Sequence, residues 1–238
     1  MQIWPAIDLL GGKAVRLTKG DYEQVKVYFS NPEEILAYFN ARGARHLHVV
    51  DLDGAREGKL SNLSTISRLA KESAQEIEVG GGIRTEDRID AYLSLGVRYV
   101  ILGTVAAEDP SFVERMVARY GDAIVVGVDA RDGFVATRGW QQLSSLSGPE
   151  FCLRMESLGV SRIIYTDISR DGMLSGTNME LYRELTSSLK LKVTASGGIT
   201  YPEEIRRLRE IGVHGAIVGK ALYEGLLDLS EVLKAAEE

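Results

Sequence analysis

Short motifs recur along this chain at a fixed spacing, and that recurrence limits the fold more than any other feature. Val79-Gly80-Gly81-Gly82-Ile83-Arg84 returns as Ala195-Ser196-Gly197-Gly198-Ile199-Thr200, so Gly81 and Gly197 stand 197 − 81 = 116 positions apart. Gly103 and Gly219 are also 116 apart, as are Gly96 and Gly212, and Asp51 and Asp167. Asp8 and Asp129 are separated by 121, so the first quarter of the unit has drifted. A constant offset over half a chain points to two copies of one unit in series, approximately residues 1–121 and 122–238.

Within each copy, apolar runs alternate with helical patterns. Runs at 3–7, 46–51, 77–80, 99–102, 124–128, 163–167, 193–196 and 216–218 read as buried strands. Helix starts follow them. Asn31-Pro32-Glu33-Glu34 combines a capping side chain, a proline at the first helical position and acids in the first turn. Pro110, Pro149 and Pro202 mark further starts, and Gly43, Gly96 and Gly121 mark ends. Residues 9–30 read as one long polar connection, a candidate lid, because loops of this length in compact domains are often functional. Residues 133–138 alternate like a small extra strand pair. Eight strand–helix cycles without a linker predict an α/β fold: a single (β/α)₈ TIM barrel over residues 1–238, built from two repeated half-barrels.

Composition then excludes several classes of function. The formal charge of −6, with no basic run, argues against a nucleic-acid or anionic-membrane surface. No apolar stretch reaches the roughly 18 residues of a membrane span, and Met1-Gln2-Ile3-Trp4-Pro5 lacks the basic and apolar regions of a signal peptide. Cys152 is alone, so intrachain disulfides are ruled out and a small core residue is expected. The expectation is a cytoplasmic monomer acting on a small molecule.

In such barrels the chemistry sits at the C-terminal ends of the strands. Gly81, Gly82 and Arg84 with Gly103 and Thr104 would form one phosphate cradle, and Ser196, Gly197 and Gly198 with Gly219 and Lys220 the other. Two cradles on opposite sides of one mouth suggest a ligand with a phosphate at each end, a small-molecule bisphosphate. Asp8 and Asp129 occupy equivalent strand tips and should face each other, where an acid and a base could work on one sugar carbon. Each could instead pair with a base such as Arg16 or Arg131, and for Asp51 and Asp167 a loop-bracing role is as good a reading as a chemical one. Thr166 and Asp171 lie within reach of the same centre. Trp140, beside Arg138, could stack on a planar ring. His46, His48 and His214 lack metal-ligand spacing, so packing is expected of them. There is no Gly-x-Ser-x-Gly elbow, no Walker lysine loop and no Gly-x-Gly-x-x-Gly.

Taken together, Pro5-Ala6-Ile7-Asp8-Leu9 with Gly12-Lys13-Ala14-Val15-Arg16-Leu17, His48-Val49-Val50-Asp51-Leu52, Gly80-Gly81-Gly82-Ile83-Arg84, Arg138-Gly139-Trp140 and Thr166-Asp167 through Asp171-Gly172 resemble the histidine-biosynthesis barrel family. The likeness covers essentially the whole chain and is strongest to the isomerases of that family. The sister cyclase subunits usually carry a cysteine near the first strand tip, where this chain has Pro-Ala-Ile-Asp. The resemblance implies an Amadori rearrangement of an aminoaldose phosphate to an aminoketose phosphate, on a substrate with two phosphates and with no metal or redox cofactor. It makes Asp8 the general base and Asp129 its proton-donating partner, and it links Thr166 and Asp171 to ring opening and to the reacting amine. Arg16, Arg138, Trp140 and Gly172 join the substrate-binding set. Which of Asp129 and Asp171 gives the ring-opening proton stays open, and two rival functions remain. One is a bifunctional isomerase that also serves tryptophan synthesis; the other, of a different class, is a flavin-phosphate oxidoreductase.

Overall fold

Eight parallel strands close on themselves, with helices outside. The computed structural model describes residues 1–18 and 20–238. Its strands are β1 (Gln2–Leu10), β2 (Lys13–Thr18), β3 (Asp21–Phe29), β4 (His46–Asp51), β5 (Glu76–Gly80), β6 (Tyr99–Leu102), β7 (Ile124–Arg131), β8 (Phe134–Thr137), β9 (Gln142–Ser147), β10 (Arg162–Asp167), β11 (Lys192–Ser196) and β12 (Gly215–Val218). Hydrogen bonding runs β10-β11-β12-β1-β4-β5-β6-β7, and β10 pairs again with β7, which closes the barrel. Each expected strand is present: β4 and β6 match their apolar runs, β5, β10, β11 and β12 are one residue longer, and β7 and β1 extend three and four residues beyond theirs.

Helix starts obey local chemistry. Asn31 caps the helix Pro32–Ala41 by accepting the Glu33 N–H, and Asp109 caps Pro110–Tyr120 by accepting the Phe112 N–H. Two short helices, Leu52–Glu57 and Thr104–Glu108, have no counterpart in the sequence reading. Neither is long enough to show a helical period.

Side-chain alternation along the strands divides the core in two. Ile7, Val49, Val79, Val126 and Val218 point outward and join the large cluster under the helices. Trp4, Ala6, Tyr99, Ile101, Val125, Ile164 and Ile217 form a separate cluster that fills the barrel interior. Counting two residues onward from Ala6 and Ile164 brings Asp8 and Thr166 to the same inner face, at the C-terminal rim.

The stretch 9–30 corrects the expectation of a long loop. It is a hairpin arm in which β2 pairs antiparallel with β1 and β3 with β2; Lys19 lies outside the described residues. Most of β3 is exposed, Val27 to 49%, so no inside–outside alternation betrays it. A second arm, β8 and β9, extends β7 in the same way, and the strand pair expected at 133–138 belongs to it. No helix of the described residues is long and apolar enough to cross a membrane.

Candidate active site

Asp8 and Asp129 both open onto one cavity of about 260 Å³ at the C-terminal rim, and each is met by a donor from its own hairpin arm. Arg16 Nη1 on β2 donates to Asp8 Oδ2 at 2.8 Å. Trp140 Nε1, between β8 and β9, donates to Asp129 Oδ2, also at 2.8 Å. The donors differ in charge. Asp8 sits in an ion pair only 15% exposed on either side, whereas Asp129 receives a neutral indole N–H. Burial pushes the Asp129 carboxyl above the ordinary carboxylate range, against the pull of hydrogen bonds from Trp140 and Thr166 and of the charge on His48.

A third carboxylate joins them. Burial raises Asp171 to about 6; Arg16 and Lys220 pull it down, while the charges of Asp8 and Asp129 push it up. Lys220 Nζ donates to the Gly172 carbonyl at 2.7 Å, tying the loop that carries Asp171 to the end of β12. Arg16 is packed against this same end. A Cβ on Gly219 would lie 1.8 Å from Arg16 Nη2, so only glycine leaves room for the guanidinium. Nε and Nη2 of Arg16 are buried donors without a hydrogen-bond partner among the described residues.

The glycine loops flank the acids. Gly81, Gly82, Arg84, Gly103 and Thr104 line one side of the cavity, and Ser196, Gly197, Gly198, Gly219 and Lys220 the other. Gly103 and Gly219 start the helices Thr104–Glu108 and Lys220–Tyr223 with nearly the same backbone, φ −100 and ψ −98 against φ −122 and ψ −101, and neither has a side-chain cap. First-turn N–H groups there remain available to an anion.

The paired glycines do a second job that the sequence did not reveal. A Cβ on Gly81 would meet the Asp51 carbonyl oxygen at 2.2 Å, and one on Gly197 the Asp167 carbonyl oxygen at 2.5 Å. Close backbone packing therefore requires both, before any ligand is considered. Asp51 and Asp167 themselves are braces. Asn62 Nδ2 donates to Asp51 at 2.6 Å and Asn178 Nδ2 to Asp167 at 3.0 Å, the same contact 116 positions on. At the outer clasps the halves diverge. Arg88 donates to the carbonyls of Gly82 and Gly58. Glu204, its equivalent at 88 + 116 = 204, accepts the N–H groups of Thr177, Thr200 and Tyr201.

Of the residues expected at the site, all but Arg138 line the cavity. Arg138 corrects its expectation: its side chain turns outward to Glu108 at 3.1 Å, and only its backbone N–H serves the rim, through Thr104 Oγ1 at 2.9 Å. Trp140 is not a free loop side chain, since its ring packs against Gly20 of the other arm, where a Cβ would fall 2.6 Å from it. His48 and Tyr22 line the cavity and were missed. For His48 the available signal was its place three residues before the end of β4, on the inward face. No group of three or more His, Cys, Asp or Glu among the described residues converges as a metal site.

A family model described as histidine biosynthesis protein matches residues 2–228. A Brachyspira hyodysenteriae protein named 1-(5-phosphoribosyl)-5-((5-phosphoribosylamino)methylideneamino)imidazole-4-carboxamide isomerase is 46% identical over the full length of both chains. Proteins of the same name are 48% identical in Synechocystis, covering 99% of this chain and 93% of the relative, and 48% in Thermodesulfovibrio yellowstonii, covering 98% and 96%.

Proposed function

The chain belongs to the histidine biosynthesis protein family, and from that premise we propose that it catalyses the aldose–ketose isomerisation for which its relatives are named. It is an isomerase that opens the ribose ring of one phosphoribosyl arm and moves the carbonyl from C1 to C2. The observation that carries the reading is the pair of unlike carboxylates: an ion-paired Asp8 and an Asp129 whose carboxyl burial holds above the ordinary range share one cavity between two glycine loops.

The steps follow from those environments. Asp129 gives its proton to the ring oxygen as the C1–O bond breaks, and the amino nitrogen supplies the electrons for a C1=N iminium. Asp8 then removes the C2 proton, leaving an enaminol. Asp171, whose carboxyl the charges of Arg16 and Lys220 pull down, holds the reacting amine, and Thr166 steadies Asp129, opposite which it is registered across β7 and β10. The two loops with Gly103 and Gly219 hold the terminal phosphates. Acid–base catalysis supplies about 10²–10⁴-fold per group, so positioning by the phosphates must contribute much of the remainder. The arms touch through Gly20 and Trp140 and would screen the open-chain intermediate from water.

The test is turnover of the bisphosphate by purified protein, with phosphoribosylanthranilate run in parallel. Asp8→Asn and Asp129→Asn should each lower kcat by at least about 10²-fold while substrate still binds. Loss of binding with unchanged kcat would refute the assignment. Turnover of both substrates would make the enzyme bifunctional.

A further inference from the structure

One pair of ionisable side chains in the barrel has no part in these steps. Glu78, on β5, is 3% exposed and lies directly across from His48 on β4, where Glu78 Oε1 and His48 Nδ1 are 2.7 Å apart. That is the only hydrogen bond of the Glu78 carboxylate among the described residues, and a charge so buried needs its partner. An ionised carboxylate can only accept, so Nδ1 carries the hydrogen and the ring is held with Nε2 free. His48 lines the same cavity onto which Asp8 and Asp129 open. The arrangement is a carboxylate, an imidazole it orients, and a second ring nitrogen on a residue that lines the cavity.

The repeat shows that packing does not require this pair. At the positions 116 further on, 48 + 116 = 164 and 78 + 116 = 194, the second half has Ile164 and Thr194. Both are buried in the same barrel, Ile164 in the interior apolar cluster. One half fills its inner layer with an apolar side chain and a hydroxyl; the other places an ion-capable dyad there.

We propose that His48, oriented by Glu78, is a third proton-transfer group of the isomerisation, a proposal that rests on the Amadori reading above. Once Asp8 has taken the C2 proton, the enaminol must still become a ketone. The C2 hydroxyl then loses its proton to His48 Nε2, the C2=O bond forms, and the C1=C2 pair takes the proton that Asp8 holds. His48 passes its proton to Asp129, left ionised by ring opening. Both carboxyls and the imidazole finish as they began, and no outside acid or base is consumed. Glu78 is a positioning residue in this scheme, acting only through the ring.

The experiment compares wild-type enzyme, His48→Gln, Glu78→Gln and the double variant His48→Ile with Glu78→Thr, using substrate deuterated at C2. The double variant installs the pair that the second half already packs, so it leaves no buried charge stranded. Expected are a fall in kcat of about 10²-fold for His48→Gln and for the double variant, a smaller fall for Glu78→Gln, and little change in KM. Ketonisation would become limiting, so the C2-deuterium effect on kcat should shrink, the solvent isotope effect should grow, and C2 hydrogen should exchange with water in recovered substrate. Folded variants with wild-type kcat would overturn the proposal, as would a reduced kcat with an unchanged isotope pattern. Absence of turnover in the wild type would instead refute the isomerase reading itself.

Discussion

Asp171 has a stability cost that its substitution should reveal. Its folded pKa of about 6 lies above the ordinary value of 3.8, so the folded state binds a proton more tightly than the unfolded chain. Below pH 4 both states are protonated and no penalty arises; between pH 4 and 6 stability falls as the pH rises, and above 6 the loss is complete. Asp171→Asn should therefore raise the thermal midpoint at pH 7 but not at pH 4, which calorimetry at the two pH values would test, while kcat falls. Trp140→Phe removes the indole donor that pulls the Asp129 carboxyl down. With Asp129 as the ring-opening acid, the alkaline limb of the kcat–pH profile should move to higher pH. Gly81→Ala should cost more than about 1 kcal/mol of stability, read from denaturant unfolding, because φ is +114 and the new carbon meets the Asp51 backbone. At this scale the sequence showed which residues would gather at one cavity but not what each residue touches. Asp8 and Asp129 were legible from strand tips at equivalent positions. The Glu78–His48 contact crosses two strands, and no spacing rule reveals it.

The elements were legible wherever one face is buried. The barrel strands announced themselves as apolar runs; the arm β2–β3 did not, because β3 is mostly exposed and has no inside to alternate against, and the buried residues of β2, Ala14 and Val15, are adjacent rather than alternating. A signal was nevertheless available in the drifted offset. Adding 121 to Lys13 and Asp21 gives 134 and 142, the first residues of β8 and β9, so each arm is the counterpart of the other. The root of the first arm is pinned by Asn62, which is 2% exposed, accepts the Gly12 N–H at 2.9 Å and donates to Asp51 and Asp53. Asn62→Ala should speed amide exchange at Gly11 and Gly12 and lower kcat through Arg16, with the barrel strands still protected; hydrogen exchange by mass spectrometry would show it.

In the molecule as a whole, the paired carboxylate braces stay within a half while the acids of the cavity come from both halves. The Asp51–Asn62 and Asp167–Asn178 braces are internal to residues 1–121 and 122–238, as are the Arg88 and Glu204 clasps. Asp8 and Arg16 come from the first half; Asp129 and Asp171 come from the second. Two fragments cut between Gly121 and Asp122 should each be inactive alone and regain activity on co-expression, as strands β1 with β12 and β6 with β7 pair across the cut. The clasps also make the copies unlike. One rim is fastened by its oxygens to a cation, the other by its nitrogens to an anion. Exchanging them, Arg88→Glu with Glu204→Arg, would conserve composition and net charge yet set like poles together at both places. A ligand with two similar tails thus meets a socket and a differently wired socket, and the molecule knows left from right.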